Sequence, residues 1–358
     1  MAPSSTTSRP LVSWLIPTTL YHHRWWKRLV EYLEDDFPPQ LSECIFLGTQ
    51  DREFTRLAQG IGQRIVDSLA FRSGVVERWK NVRFIESYSP EFNICTSRNR
   101  LLEEATGDIV IHRDCDTALV QYNFTAFTVK QLLSSRLGML SYPSLQNGVH
   151  FKPTACLPTM PHPDAKGVAL APLVQGMAVA TLRSVEHAIG GHNTSLAYWG
   201  EYNALGPKLA NSGFLMGHTT GKYWLSSTSD ESSISLTDHS RNSEAKIERA
   251  VGIAIMNDYY QVTPDDTFWK VQRPLYGVDD THRSPRVAAS SKERYPDFAK
   301  EQRLAPNLRR YNFKPWECLS HADAAAYIKQ AHERAEPFFA PVEKRVRELG
   351  LDKIFATA

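Results

Sequence analysis

The feature that most constrains this chain is a change of hydrophobic period that recurs along its first third. Short runs rich in β-branched and aromatic residues, LVSWLIPT (11–18), ECIFLG (43–48), VRFIES (82–87) and DIVIH (108–112), alternate with segments of helical spacing. Trp25, Trp26, Leu29 and Leu33 fall on one face of the first such segment, and Leu57, Ile61, Ile65 and Leu69 mark every fourth position of the second. The third, TSRNRLLEEATG (96–107), offers Thr96 or Ser97 as its cap and Gly107 as its stop. Strands separated by helices pair through crossovers, so this order predicts a parallel sheet wrapped by helices, an α/β fold. With 358 residues, 42% of them apolar, the chain has ample core for one large domain or two unequal ones.

The fourth strand runs directly into two carboxylates, in IVIHRDCDTAL (109–119). Ligands of open α/β sheets bind beyond the carboxyl ends of the strands, and Asp114 and Asp116 stand at such an end. Residues i and i+2 of an extended chain share a face, so both acids are expected to point one way and Cys115 the other, into packing. Two like charges held together are unfavourable without a cation. A hard divalent ion, Mg²⁺ or Mn²⁺, meets that need and leaves coordination positions open for substrate phosphate oxygens. No other Asp-x-Asp occurs in the chain.

Three stretches in succession, PLVSWLIPTTL near the start, SRNRLLEEATGDIVIHRDCD (97–116) and GGHNTSLAYWGEYNALGPKL (190–209), resemble the ordered signatures of family 2 type glycosyltransferases of the GT-A fold. The resemblance spans roughly residues 10 to 240, and the order of the motifs makes it more specific than any one of them. It implies a Rossmann-like, mostly parallel sheet flanked by helices; beyond residue 240, where the resemblance fades, the residues themselves read as a helical and loop-rich C-terminal extension. On this reading residues 1–10 are a flexible terminus and 11–240 the transferase domain, split into a nucleotide-sugar half (11–120) and an acceptor half (121–240). Residues 241–358 form the extension.

The resemblance also assigns roles. Asp116 would bind the metal on the sugar-nucleotide diphosphate, and Asp114 the ribose or the same metal. Pro17 and Thr18 match the first loop, against the base; Arg98 and Asn99 match the helix lining the nucleotide pocket. Trp199 and Gly200 belong to the acceptor segment, where Glu201 would orient the acceptor or remove its proton, and His239, in LTDHSRN, matches a third metal ligand. The implied reaction is inverting transfer of a sugar from a nucleoside diphosphate, UDP or GDP, to an acceptor hydroxyl. The acceptor class stays open among saccharide, lipid, small molecule, protein and nucleic acid.

Two departures qualify the match. The family's acidic loop after the second strand is FLGTQD here, leaving Asp51 as its acid, and Tyr202 replaces the second acid of the acceptor segment. Either Glu201 serves as the base, or the chain binds nucleotide sugars with little or no turnover. A third reading, transfer to a nucleic-acid base, rests on residues 270–314, where eleven Lys/Arg outnumber five Asp/Glu among several aromatics. A sugar-1-phosphate nucleotidyltransferase would need a Gly-rich phosphate loop after the first strand, and PTTLYHHR has none.

A net charge of +2 gives the whole molecule no polyelectrolyte character. Five widely spaced cysteines, Cys44, Cys95, Cys115, Cys156 and Cys318, read as free thiols of a reducing compartment, and no run approaches a membrane span, so a cytoplasmic protein is expected. Residues 117–138 read as helix, 138–144 as a strand, 151–167 as a proline-broken loop, and QGMAVATLRSVEHAIGG as a strand leading into a short helix. Ile247, Val251, Ile255 and Tyr259 line one face of a further helix. The C-terminal stretch from His321 is expected to form one or two helices, able to pack on the body or to join two subunits as a homodimer.

Overall fold

The computed structural model describes residues 9–18, 25–49, 52–87, 93–119, 123–146, 149–151, 160–171, 177–192, 194, 202, 205–206, 208–209, 212–220, 225–227 and 321–352. The four strands expected from the first third are present as β1 (Val12–Thr18), β2 (Ser42–Gly48), β3 (Val82–Glu86) and β4 (Ile109–Arg113). Their order across the sheet is β3-β2-β1-β4, and every neighbouring pair is parallel. Helices α1 (Trp25–Leu33), α2 (Phe54–Leu69), α3 (Val75–Trp79) and α4 (Ile94–Glu104) lie between these strands in the chain.

Beyond β4 the chain adds β5 (Ala118–Leu119), α5 (Phe124–Ser135), β6 (Met139–Ser141), β7 (Ser144–Gln146), β8 (Val149–Phe151), β9 (Met160–Pro161), β10 (Val168–Leu170), β11 (Ala178–Leu182), α6 (Arg183–Ala188), β12 (Met216–Thr219) and β13 (Leu225–Ser227). The main sheet continues from β4 as β11-β6-β12-β10-β9, and β5-β13-β7-β8 form a smaller sheet. Only β10 and β11 run against the other strands of the main sheet, which is mixed but mostly of one direction. The α/β class and the helix-flanked sheet are as the sequence predicts.

Both faces of the parallel half are buried, and strand alternation divides them. Val12, Trp14 and Ile16 of β1, with Cys44 and Phe46 of β2, enter the large core under α1, α2 and α5; Leu15, Ile45, Leu47 and Val110 pack with Leu101 and Leu102 of α4. Trp25, Phe46, Phe54 and Phe84 make edge-on or stacked ring pairs at 5.3–6.1 Å. Such pairs are worth about 0.5–1.5 kcal/mol each beyond the area they bury.

Several local expectations shift by a residue or a turn. Trp26 points outward at 40% exposure, and α1 buries Trp25, Arg28, Leu29, Tyr32 and Leu33 instead. The buried stripe of α2 is Phe54, Ala58, Gly62 and Val66, while Leu57, Ile61, Ile65 and Leu69 flank it half-buried. The cause is a close approach: a Cβ at Gly62 would lie 2.4 Å from Trp79 of α3, so a small residue must face that helix. The cap of α4 is Asn93, whose side chain accepts from the Thr96 N–H at 2.8 Å. The helix expected over 117–138 is confined to α5, preceded by β5, and the strand expected over 138–144 is confined to β6.

One long helix, α7 (His321–Glu348), closes the chain, running through Pro337 and Pro341. Ala331, Ala335, Phe339, Val342 and Val346 bury its apolar face in the body of the same chain. Arg136 pairs with Glu336 and Glu343, and Arg345 with Asp108 and the main-chain carbonyls of Arg9 and Pro10. The face that the sequence offered equally to the body or to a second subunit is thus taken by the body. Among the described residues no helix is long and apolar enough to cross a membrane, and Cys44, Cys95 and Cys115 are free thiols. Cys156, Cys318, the 247–259 helix and the basic 270–314 segment lie outside the described residues.

Candidate functional site

The strand order places a topological switch between β1 and β4, because the chain builds outward from β1 through β2 to β3 and then returns to its other side. Crevices form at the carboxyl ends of such strands. At this one stand Pro17 and Thr18, which end β1, and the Asp114–Cys115–Asp116 turn that leaves β4. The two acids are not on extended chain as alternation suggested. β4 ends at Arg113, and Thr117 closes a turn by giving its N–H (3.4 Å) and hydroxyl (3.0 Å) to the Asp114 carbonyl. Cys115 packs at the edge of the large core and hydrogen-bonds the Thr18 side chain, tying the two strand ends together. Burial pushes its thiol up to about 12, so it is no nucleophile at neutral pH.

Charged side chains support this turn from below. Arg113, fully buried, donates to the Thr117 carbonyl at 2.7 Å, lies 2.6 Å from Glu31, and stacks over Trp14 at 5.3 Å. Glu31 also contacts Arg28 (3.0 Å) and accepts from the Leu119 N–H (3.2 Å). Burial, then the charge of Arg113, pulls Arg28 down to about 10; Glu31, Cys115 and Asp116 oppose it. Arg28 sits among the apolar positions of α1, and an ionisable residue on a buried face is the sequence signal by which it could have been found.

Arg98 of α4, 1% exposed, donates to an Asp114 carboxylate oxygen at 2.7 Å and lies 5.0 Å over the Tyr202 ring. Burial lifts the Asp114 carboxyl to about 6, with Asp116 adding to the rise and Arg98 and His112 opposing it. A half-buried acid raised by burial and then by a like charge is a site that gains from a cation. Two carboxylates at a crevice supply the oxygen donors that Mg²⁺ or Mn²⁺ takes.

Asn99 is engaged elsewhere. Its side chain accepts from the His192 N–H (2.8 Å) and donates to the His192 carbonyl (2.9 Å), clamping the turn after α6. Gly191 in that turn has φ +64°, and a Cβ there would meet the Asn99 amide oxygen at 2.6 Å. Tyr202, the residue in place of an acid, is 5% exposed and packs edge-on against the His192 ring at 5.5 Å. The structure therefore assembles Pro17, Thr18, Arg98, Asp114 and Asp116 at one end of the sheet and gives Asn99 a structural task. Asp51, Trp199, Gly200, Glu201 and His239 lie outside the described residues.

A second cluster lies behind the first. His112 of β4 contacts both oxygens of Glu186 on α6, at 2.8 and 3.0 Å, and the His192 Nε2 lies 3.4 Å from Glu186. All three are at most 2% exposed. Burial alone would raise the Glu186 carboxyl, but His112 and His192 reverse this and hold it below the usual carboxylate range. Burial depresses His192 to about 4 despite the attraction of Glu186. Sequence reading missed this cluster; its one local signal is His112, an ionisable residue inside the apolar run IVIHR.

No protein-family model matches the chain, and no curated protein matches it. Among solved structures, its fold is similar to that of a mannosyltransferase from Pyrobaculum calidifontis, solved with GDP-Man and Mn²⁺. The TM-score is 0.50 at 17% identity, over 91% of this chain and 87% of that one. It is also similar to residues 1–349 of TarS from S. aureus, solved with UDP-GlcNAc, with a TM-score of 0.48 at 12% identity over 94% and 91% of the two chains; that score adds no weight. At such identity the likeness is one of fold. The chain has a GT-A type fold, the architecture implied by its sequence motifs. It shares that architecture with the GDP-Man-bound mannosyltransferase.

Proposed function

We propose that this protein is a divalent-metal-dependent glycosyltransferase that moves a sugar, with inversion, from a nucleoside-diphosphate sugar to an acceptor hydroxyl. The observation that carries the reading is the placement of Asp114 and Asp116 beside Thr18 at the switch point of the sheet. In this reading Asp114 and Asp116 hold Mn²⁺ or Mg²⁺, with His239 as a third ligand. The ion supplies charge neutralisation for the departing nucleoside diphosphate. Pro17, Thr18 and Asp51 line the base and ribose, Arg98 fixes Asp114 from behind, and Asn99 acts through the turn it clamps.

Trp199 and Gly200 shape the acceptor side, and Glu201 takes the proton of the acceptor hydroxyl. As that proton leaves, the oxygen bonds the anomeric carbon from the face opposite the phosphate. The bond from that carbon to the phosphate oxygen breaks, and its electron pair departs with the nucleoside diphosphate. A single displacement of this kind inverts the centre. Tyr202 favours a second reading, donor binding without transfer, because the place of an acid is taken by a buried ring that packs on Arg98 and His192.

A thermal-shift screen of UDP, GDP and their sugars, with and without Mn²⁺, tests the donor site on the native chain and on Asp116→Ala. Donor at a hundred times its dissociation constant should add about 2.7 kcal/mol to the native chain, and the shift should vanish in the variant. Release of nucleoside diphosphate on adding acceptors then separates transfer from binding. No shift with any nucleotide would sink both readings.

A further inference from the structure

We propose that His112, Glu186 and His192 form a second metal site, specific for zinc or a similar transition metal and separate from the Asp114/Asp116 pair. The three ligand atoms, both His Nε2 and a Glu186 oxygen, converge within 4.8 Å of one another. They come from β4, from α6 and from the turn after α6, brought together across 74 residues of chain between His112 and Glu186.

The distances suit coordination as well as hydrogen bonding: His112 Nε2 lies 2.8 and 3.0 Å from the two Glu186 oxygens, and His192 Nε2 3.4 Å from one of them. Zinc binds imidazole nitrogen and carboxylate oxygen at about 2.0–2.2 Å, so neighbouring ligand atoms of a tetrahedron lie about 3.3 Å apart. Here His112 Nε2 and His192 Nε2 lie 3.0 and 3.4 Å from the same Glu186 oxygen. The His192 Nε2 is wholly buried and stands 3.4 Å from that oxygen, outside good hydrogen-bond geometry. A buried imidazole nitrogen with so weak a contact is costly, and a shared cation at the centre of the triangle satisfies it together with the carboxylate. Two nitrogens and one oxygen suit zinc; Mg²⁺ and Mn²⁺ prefer the all-oxygen pair at Asp114 and Asp116. The ion would pin the end of β4 to α6 and to the Gly190–Gly191 turn.

The purified full-length chain decides the matter. Its metal content after dialysis against Mg²⁺ is measured by mass spectrometry, and the chelator-treated chain is titrated with Co²⁺ while its visible absorption is followed. About one zinc per chain and a visible band typical of low-coordinate Co²⁺ are expected. Both should be lost in Glu186→Gln and in His192→Asn and kept in Asp116→Asn, with folding of each variant checked by far-ultraviolet circular dichroism. Should one variant fail to fold, the other and the native titration still decide. A folded native chain that takes up neither zinc nor Co²⁺ would overturn the assignment. So would a band that survives in the triad variants and disappears in Asp116→Asn.

Discussion

In the all-parallel half of the main sheet, β1 and β2 are each seven residues long and buried at every position, and their crossovers are helices a few residues away in the chain. In the other half, β6 and β10 are three residues long and β9 two, and the covering helix α7 comes from the far end of the chain. The first half is held by hydrophobic burial on both faces and by short-range ion pairs such as Arg113 with Glu31 and Arg98 with Asp114. The second is fastened to α7 through Arg136, which pairs with Glu336 and Glu343, while Arg345 ties the same helix back to Asp108, just before β4. A site whose parts must stay fixed belongs on the first kind of support, and the Asp114 turn stands there.

Paired core truncations would break or confirm this contrast. Trp14 is fully buried, packs edge-on against Tyr32 and Phe124, and hydrogen-bonds Thr125 at 3.1 Å. Trp14→Ala should cost about 3–5 kcal/mol, and Phe339→Ala on α7 a similar amount. If the halves unfold as one unit, both variants lower a single denaturant midpoint. An early, separate transition appearing in Phe339→Ala alone would show that the far half opens by itself.

A smaller effect is expected where α2 meets α3 beside the parallel half. Gly62→Val should destabilise by about 1–3 kcal/mol through overpacking against Trp79, measured by the urea midpoint. An unchanged midpoint would mean that α2 lies further from Trp79 than the structure has it.

Proton linkage separates the halves by sign. Asp35, which follows α1 in the parallel half, is raised by burial from 3.8 to about 6, so the folded state binds its proton more tightly and this contribution to stability falls as pH rises from 3.8 to about 6. His162, beside α7, is lowered by burial, and further by His332, from 6.5 to about 4. Its contribution is present above 6.5 and is lost as pH falls from 6.5 to about 4. Melting temperatures against pH should steepen upward across this window in Asp35→Asn and flatten in His162→Gln. Matching slopes in the two variants would refute the assignment.

The smallest effect belongs to the ionic fastening of α7. Arg136 and its partners are partly solvated, so Arg136→Ala should cost only about 0.2–1 kcal/mol and lose most of that cost in high salt.

How much of this was legible depended on whether each feature was local. The first four strands, Asp114, Asp116 and the strand-to-helix passage into α6 could be read because period and turn chemistry act over a few residues. The true buried stripe of α2 was not, since Ala58 and Gly62 carry no hydrophobic signal and face the core only because Trp79 comes close. Nor was Asn99 as a clamp: its partner His192 is 93 residues away. The His112, Glu186 and His192 cluster is hidden for the same reason, its members coming from three segments that only tertiary structure brings together.

The position of β11 between β4 and β6 has a consequence for biosynthesis. While the chain is being made, the parallel half can be complete by residue 113, yet one edge of β4 stays open until residues 178–182 emerge and pair with it. An unpaired strand edge destined for burial recruits other chains. A fragment ending near residue 171 should therefore be sticky and hard to purify, and one extended through α6 should be far more soluble. The strand that presents the two carboxylates is thus the last of its group to be sheltered, and the nascent polypeptide is most in need of a chaperone at that stage of translation.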